Sequence, residues 1–343
     1  MNILVGMSGG IDSTYAAYKL ISEGHTVAGA VLSMHGHTEI DAASAACESL
    51  GIPLYIINCR ELFERTVISN FIDEYRSGRT PNPCIICNSE VKFEALLDYA
   101  VTNGFDRIAT GHYARVESYV AEGGNRYFIS CAADKRKDQA YMLWRLSQRV
   151  LERLVLPLSD ITKEEVRRES ERIGLVCWDR EDSQEICFIP QGHHADFIRQ
   201  RTEPMPEGDF VDEEGRVLGR HKGIVNYTVG QRKGLGISLG VRAFVSEIDS
   251  KTNRITLSDK AKATHSFSVS GVVFSGIEPP EEAKTYRLRV KYRYLSPKIF
   301  ADVTFFPDAR AEVVLDEPAK ALAPGQSAVF YLEDGVAAGG FID

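Results

Sequence analysis

Two groups of residues in this sequence have the types and spacing for chemistry. The first is "GMSGGIDS", Gly6 to Ser13, which follows an apolar run and opens an amphipathic pattern. Ser8, Gly9 and Gly10 let the backbone turn tightly and present successive N–H groups outward. A helix starting at Ile11 would add the partial positive charge of its N-terminus. Ser8 and Ser13 supply hydroxyls, and Asp12 supplies a carboxylate for capping or for Mg²⁺. A P-loop ends its glycines with a Lys-Ser/Thr pair, whereas this loop has Ile11-Asp12-Ser13 in that place. The pattern predicts a phosphate cradle without a lysine of its own.

The second group is thiols. "RTPNPCIICNSEVKFEAL" holds Cys84 and Cys87 in a Cys-x-x-Cys spacing, and Cys187 stands far downstream in "DSQEICFIPQG". Prolines pin the approach to Cys84, and the N-terminus of the helix that follows is expected to lower a nearby thiol's pKa. Taken alone, this spacing suits a thioredoxin-like pair, half a zinc site or a cluster site. No second Cys-x-x-Cys follows. Cys47, Cys59, Cys131 and Cys177 sit in or beside apolar segments and read as core packing.

Positioning these groups requires a scaffold. Over residues 1 to about 112, short apolar runs ("NILVGM", "HTVAGAVL", "IPLYIIN", "FDRIAT") alternate with helical patterns at Ile11 to Glu23, Glu39 to Leu50, Glu61 to Tyr75 and Ser89 to Val101. That alternation predicts a doubly wound parallel sheet. Ligands bind such sheets at the carboxyl ends of the strands, which places Gly6 to Ser13, Leu32 to Met34 and Thr110 to His112 around one crevice. A hairpin over Tyr113 to Ser130 and helical segments near 138–146 and 162–173 follow. From about residue 204, beyond a Pro/Gly-rich joint, short alternating strands take over and predict small β-barrels. The domains expected are 1–203, an α/β catalytic unit; 204–263, a β-rich connector; and 264–343, a terminal β-barrel that contacts RNA.

With 343 residues, 44% hydrophobic and 26% charged, the chain has room for several cores. No apolar run approaches a membrane span and no leader is evident, so a cytoplasmic protein with reduced cysteines is expected. A net charge of −8 excludes indiscriminate coating of nucleic acid. It leaves room for local basic patches: Lys135-Arg136-Lys137, Arg232-Lys233, and Arg287 to Lys298, where cations are expected on one strand face and tyrosines on the other.

The Ser-Gly-Gly-Ile-Asp-Ser string resembles the signature of pyrophosphate-loop ATP hydrolases, of the adenine-nucleotide alpha-hydrolase type. The larger set of motifs resembles the tRNA-specific 2-thiouridylases. It comprises "GMSGGIDS", "TPNPCIICNSEVKF", "ATGHYAR", "KDQAYML", "SQEICFI", "GQRKGLGI" and "PGQSAVFY". That resemblance implies ATP split to AMP and pyrophosphate, with Mg²⁺, to activate the C2 oxygen of a wobble uridine. It implies ATP contacts from Gly6, Met7, Ser8, Gly9, Gly10, Ile11, Asp12, Ser13, Leu32 and Gly111, and a target-base pocket at Asn82, Pro83 and Cys84. Cys87 would be one catalytic cysteine and Cys187 the bearer of a persulfide. His112, Lys137, Asp138, Gln139, Arg293, Tyr294 and Gln326 would touch tRNA. Sulfur would come from a cysteine desulfurase, a relay protein or free sulfide.

One departure opens a second route. The family pattern has Asp where this chain has Cys84, so Cys84, Cys87 and Cys187 could converge as three ligands of a [4Fe–4S] cluster with one open iron. An amidating or ligating enzyme with the same loop, and an RNA-binding protein with a vestigial nucleotide site, are the alternatives outside sulfur transfer. The first would have little use for the thiols; the second would not need Asp12.

Overall fold

A computed structural model describes residues 1–36, 40–179, 186–189, 193–237 and 242–343. Strands β1 (Asn2–Gly6), β2 (Thr26–Ser33), β3 (Leu54–Asn58) and β4 (Arg107–Thr110) run parallel. A hairpin of β5 (Ala114–Ala121) and β6 (Gly124–Cys131) then leaves the sheet, and β7 (Leu154–Val155) returns to it, giving the order β3-β2-β1-β4-β7. The chain winds outward from β1 through β2 to β3, then crosses to β4 on the other side. The crevice therefore opens at the ends of β1 and β4, where connections diverge.

Both faces of the sheet are covered. Ile3 and Val5 pack with α1 (Ile11–Ser22) and α2 (Ile40–Leu50) through Ala17, Leu20, Ala43 and Ala46. Leu4 faces the opposite side, with Phe93, Leu96 and Leu97. Burial on both faces explains why β1 reads as a continuous apolar run rather than an alternation.

The remaining helices are more broken than their periodicity suggests. The segment Glu61 to Tyr75 is α3 (Arg60–Phe63), a π-helical stretch Glu64–Ile68 and α4 (Ser69–Arg76). Next come α5 (Pro83–Ile86), a π-helical stretch Cys87–Lys92 and α6 (Phe93–Thr102). Such wide turns reset which side chains share a face and concentrate at functional sites. The helix expected near 138–146 is only a 3₁₀ turn, Ala140–Leu143, and α7 (Gln148–Arg153) starts beyond it. Its apolar residues serve tertiary contacts instead. Further on, α8 (Lys163–Arg172) carries a Thr162–Glu165 capping box, and α9 (His194–Arg199) leads out of the α/β unit.

A small sheet follows, ordered β10-β11-β8-β9: β8 (Gly208–Val211), β9 (Val217–His221), β10 (Phe244–Asp249) and β11 (Arg254–Ser258). Six more strands form a closed barrel. They are β12 (Ala263–Phe274), β13 (Lys284–Lys291), β14 (Ile299–Phe305), β15 (Ala311–Lys320), β16 (Ser327–Leu332) and β17 (Gly335–Ile342), with β12 paired to both β15 and β17. The strand expected over Arg287 to Lys298 ends early, at Lys291. Tyr292 turns into the barrel core, and Arg293 to Ser296 closes a turn.

The barrel is joined to the α/β unit by shared structure. Ser130 of β6 pairs with Gly335 of β17, so the hairpin extends the barrel sheet. Trp144 Nε1 donates to Ser327 Oγ at 3.1 Å, and Tyr141 OH donates to Ser327 O at 2.9 Å. A Cβ at Gly339 would lie 2.6 Å from the Trp144 indole, so the two surfaces meet without clearance. Thr80 N donates to Pro324 O at 2.7 Å, and Arg79 Nη2 donates to Ile342 O at 3.1 Å. Trp144→Ala is expected to destabilise the full chain by about 3–5 kcal/mol, read by urea denaturation. A change below about 1 kcal/mol would show that the indole does not hold the two units together.

Candidate active site

Residues 8 to 13 fold into a loop held by its own hydroxyls. Ser8 N donates to Ser13 Oγ at 3.2 Å, the two serine oxygens lie 3.1 Å apart, and Ser13 Oγ donates to Gly10 O at 3.1 Å. Gly10 caps α1 with no side-chain hydrogen bond, leaving the first-turn N–H groups for a ligand. Gly9 is obligatory twice over. Its φ is +75°, and a Cβ there would meet Ala42 at 2.5 Å. Gly111, after β4, lies against the same turn: a Cβ would sit 2.6 Å from Ser13 N. Met7 is buried, and its N–H bonds Ala30 O at 2.8 Å. Gly111 therefore packs directly against the turn at Asp12 and Ser13. Leu32 is buried at the end of β2, in the apolar cluster that also holds Cys87.

A lysine from a distant part of the chain reaches the loop. Lys163, the first residue of α8, is 5% exposed and places Nζ 2.7 Å from both oxygens of Asp12. Tyr113 OH donates to Asp12 Oδ1 at 2.7 Å. Lys163 N donates to Asp134 Oδ2 at 3.0 Å, which ties the turn before Lys135 to the same point. Both carboxylate oxygens of Asp12 thus have protein partners, a duty the sequence reading, with its Mg²⁺ expectation, did not include. The capping box before a charged helix was the available signal for α8, but nothing local linked Lys163 to Asp12.

Two of the thiols lie on the helical stretch that begins at α5, and the third lies in the turn ahead of α9. Asn82 caps α5, its Oδ1 accepting Cys84 N at 3.2 Å with Pro83 in the first turn. Cys84 is exposed and Cys87 is buried. The Cys87 Sγ lies 3.7 Å from Met34 Sδ, just past β2. Cys187 is exposed, while the adjacent Phe188 is buried among Phe63, Phe71 and Phe197 at ring distances of 5.6, 5.3 and 5.2 Å. That aromatic anchor holds Cys187 beside the other two thiols, near enough that negative charge on Cys187 or Cys84 opposes ionisation of Cys87. A cavity of about 420 Å³ opens next to Met34 and Phe188. A larger cleft, between the hairpin and the barrel, contains none of the expected site residues. Glu181, Asp182 and Glu185, the acidic residues ahead of Cys187 that are expected to keep its segment off the phosphate site, lie outside the described residues.

One expectation is reversed. The thiols of this motif are not acidified: burial pushes Cys87 up to about 12, and desolvation in the crevice raises Cys84 and Cys187 as well. The four-residue α5 is too short to offset the loss of water around sulfur. Lys92, at the end of the π-helical turn, opposes the rise at all three thiols. Its place in the motif gives no local sign of this effect. Cys59, expected to be plain core, also lies close enough to raise Cys87.

Nor do the thiols gather into a metal centre. Among the described residues no group of three or more His, Cys, Asp or Glu side chains has the placement to hold a metal ion. Cys84, Cys87 and Cys187 therefore do not fit the [4Fe–4S] expectation.

Several residues expected to touch tRNA have inward tasks. Asp138 Oδ1 accepts Ala132 N at 2.9 Å, and Gln139 Oε1 accepts Tyr113 N at 2.8 Å. Gln326 Nε2 donates to Thr80 O at 2.8 Å, and Tyr294 OH donates to Asp138 O at 3.3 Å. His112 shares a 2.8 Å contact with Thr110 Oγ1, and burial with the nearby Lys92 charge pushes it down to about 3, so it is neutral at ordinary pH. Arg293 is exposed beside the Tyr292 ring, and Lys137 is half-buried. The row of cations on β13 is partly neutralised: Arg287 pairs with Asp302 and Asp316, and Arg289 reaches Asp334.

The sheet, the loop and the appended β-domains define a nucleotide-binding α/β protein of the HUP class. The model of the tRNA methyl transferase HUP domain matches residues 1–191, that of the tRNA methyl transferase PRC-barrel domain residues 195–259, and that of the aminomethyltransferase beta-barrel domain residues 264–342. The chain is 39% identical to the tRNA-specific 2-thiouridylase MnmA of Acetivibrio thermocellus, across 99% of this chain and 98% of that one. It is 40% identical to the MnmA of Clostridium beijerinckii, with the same coverage. The chain belongs to the tRNA-specific 2-thiouridylase family. Among solved structures, the U34-tRNA thiolase NcsA of Methanococcus maripaludis with its [4Fe-4S] cluster is 20% identical, at a TM-score of 0.35 over 55% of this chain and 62% of that one. A likeness that slight carries no argument. Among the described residues no helix is long and apolar enough to cross a membrane.

Replacing Lys163 with Met is expected to weaken ATP binding roughly tenfold or more, the size of a lost charge-assisted contact, with Lys163→Arg intermediate. Calorimetric titration reads this directly, and wild-type affinity in the Met variant would remove Lys163 from the site. In iodoacetamide labelling of the full chain, Cys187 and Cys84 are expected to react before Cys87. Cys87 labelling should climb as pH rises from 7 to 10, because its raised pKa keeps thiolate scarce at neutrality. Peptide mass mapping would show a contrary order.

Proposed function

We propose that the protein replaces the C2 oxygen of the wobble uridine, position 34 of tRNA, with sulfur, at the cost of ATP cleaved to AMP and pyrophosphate. The observation that carries this reading is the arrangement at one end of the sheet. The phosphate loop and the Cys84–Cys87–Cys187 group are linked through β2, whose Leu32 and following Met34 pack against Cys87. Family membership supports the same reaction.

In this reading the N–H groups of α1, with Ser8 and Ser13, hold the departing pyrophosphate. Lys163 and Tyr113 keep Asp12 oriented at the loop. The uracil O2 attacks the α-phosphorus, pyrophosphate leaves, and O2 becomes part of a good leaving group. The base seats against Asn82, Pro83 and Cys84. A persulfide on Cys187, loaded by a cysteine desulfurase, a relay protein or free sulfide with an oxidant, then attacks C2 through its terminal sulfur, and AMP departs. Cys87 attacks Sγ of Cys187, forming a Cys87–Cys187 disulfide and releasing the thiouridine. A buried, protonated Cys87 is protected from side reactions until that exchange. The tRNA would lie across Lys137, Arg293 and Tyr294, with Asp138, Gln139, His112 and Gln326 shaping the surface. Mg²⁺ would accompany the ATP phosphates.

The decisive measurement follows AMP formation and thiouridine separately, using full-length tRNA. Cys87→Ala and Cys187→Ala are expected to lose thiouridine while retaining a substantial part of tRNA-dependent AMP formation. Pyrophosphate release without tRNA would favour a ligase, and thiolation that survives both substitutions would overturn the sulfur route.

A further inference from the structure

Asn88 follows Cys87 in the π-helical turn and is 3% exposed. Its side-chain carbonyl, Oδ1, is buried without a hydrogen-bond partner. Such orphans are rare and unfavourable, and they ask for an explanation. The other end of this amide is occupied: Nδ2 donates to Met142 O at 3.1 Å.

Asn82 shows the complementary deficit at the same methionine. Its Oδ1 holds Cys84 N, while its Nδ2 faces only the Met142 thioether, Sδ, at 3.6 Å. A thioether is a weak acceptor. Two amides thus flank Met142, one with an unused acceptor and one with an under-used donor. Met142 is half-buried, and its unbranched side chain adapts readily to its surroundings.

A nucleobase edge has chemistry that answers both. Uracil carries the N3–H donor between two carbonyl acceptors. Its N3–H can donate to Asn88 Oδ1 while Asn82 Nδ2 donates to O4. Cytosine carries the inverse pattern, with a lone pair at N3 and an amino group at C4. It would set lone pair against lone pair at Asn88 and donor against donor at Asn82. Discrimination of this kind is strong because the wrong base leaves buried groups unpaired.

We infer that Asn88, together with Asn82, reads the target base as uracil, and that the Met142 side chain fills this seat until the base displaces it. The inference rests on the reaction proposed above and adds the base-reading role of Asn88 and Met142. Asn88 is a specificity-determining residue in this scheme, and the reacting atoms are handled by others.

The test uses the full chain and full-length tRNA transcripts carrying uridine, cytidine or N3-methyluridine at position 34, with kcat/KM for AMP formation as readout. Wild type is expected to favour uridine over both alternatives by on the order of 100-fold or more. Asn88→Ala should lose roughly ten- to a hundredfold on uridine, and its preference for uridine over cytidine should fall at least tenfold, while N3-methyluridine stays poor because it has no N3 proton to lose when O2 is adenylated. Calorimetric ATP binding by the variant reports that it is folded. A preference for uridine over cytidine as large in Asn88→Ala as in wild type overturns the inference. Should that variant fail to fold, the substrate series on wild type still decides: equal rates with uridine and cytidine overturn it. Absence of AMP from wild type with uridine-bearing tRNA is a different failure, because it removes the underlying reaction.

Discussion

A lysine with almost no contact with water needs a partner for its charge, and in this protein that partner is the Asp12 carboxylate in the phosphate loop. The contact joins α8 to α1 across a long stretch of intervening chain. Through Asp134, which accepts Lys163 N, and Asp138, which accepts Ala132 N, the same point is connected to the turn ahead of Tyr141 and Trp144. Trp144 in turn seats the barrel through Ser327. Buried ion pairs contribute little net stability, since desolvation offsets the attraction. The value of this one is geometric: it makes the loop, the second half of the α/β unit and the barrel mutually dependent.

Burial acts in the opposite direction at the thiols. Cys87 is surrounded by apolar side chains and held protonated, while Cys187 is held at the crevice by an aromatic neighbour rather than by its own contacts. One thiol is available and the other guarded, which suits a sequence of events in which sulfur is first carried and then released by exchange. The barrel takes part in this arrangement. Thr80, just ahead of Asn82 and Cys84, is clamped by Pro324 and Gln326, so the placement of these two residues depends on a domain that begins nearly two hundred residues later.

The surface expected to meet RNA is more balanced in charge than the sequence suggests. Cations that alternate along β13 find acidic partners on β14, β15 and the turn before β17. Sequence proximity identified the basic residues, but not the carboxylates that strand pairing would bring beside them. The net charge of −8 is consistent with a surface in which few cations stand unopposed.

Local sequence determined whatever depends on short-range rules. An apolar run before small residues, and a helix after them, specify the loop at Gly6 to Ser13, since tight turns and helix N-termini are local events. Alternation of periods specified the parallel sheet, and regular short strands the β-domains. Tertiary structure alone decided the rest. The Lys163–Asp12 contact, the Gly111 approach, the seating of Trp144 on Gly339 and the pairing of Asn82 with Asn88 around Met142 all join segments distant in the chain. The raised thiol pKa values were likewise invisible, because a helix N-terminus can be read from neighbours but desolvation depends on what the whole fold packs around a sulfur. The π-helical turns at Glu64–Ile68 and Cys87–Lys92 belong to the same class: periodicity found a helix, and packing set its pitch.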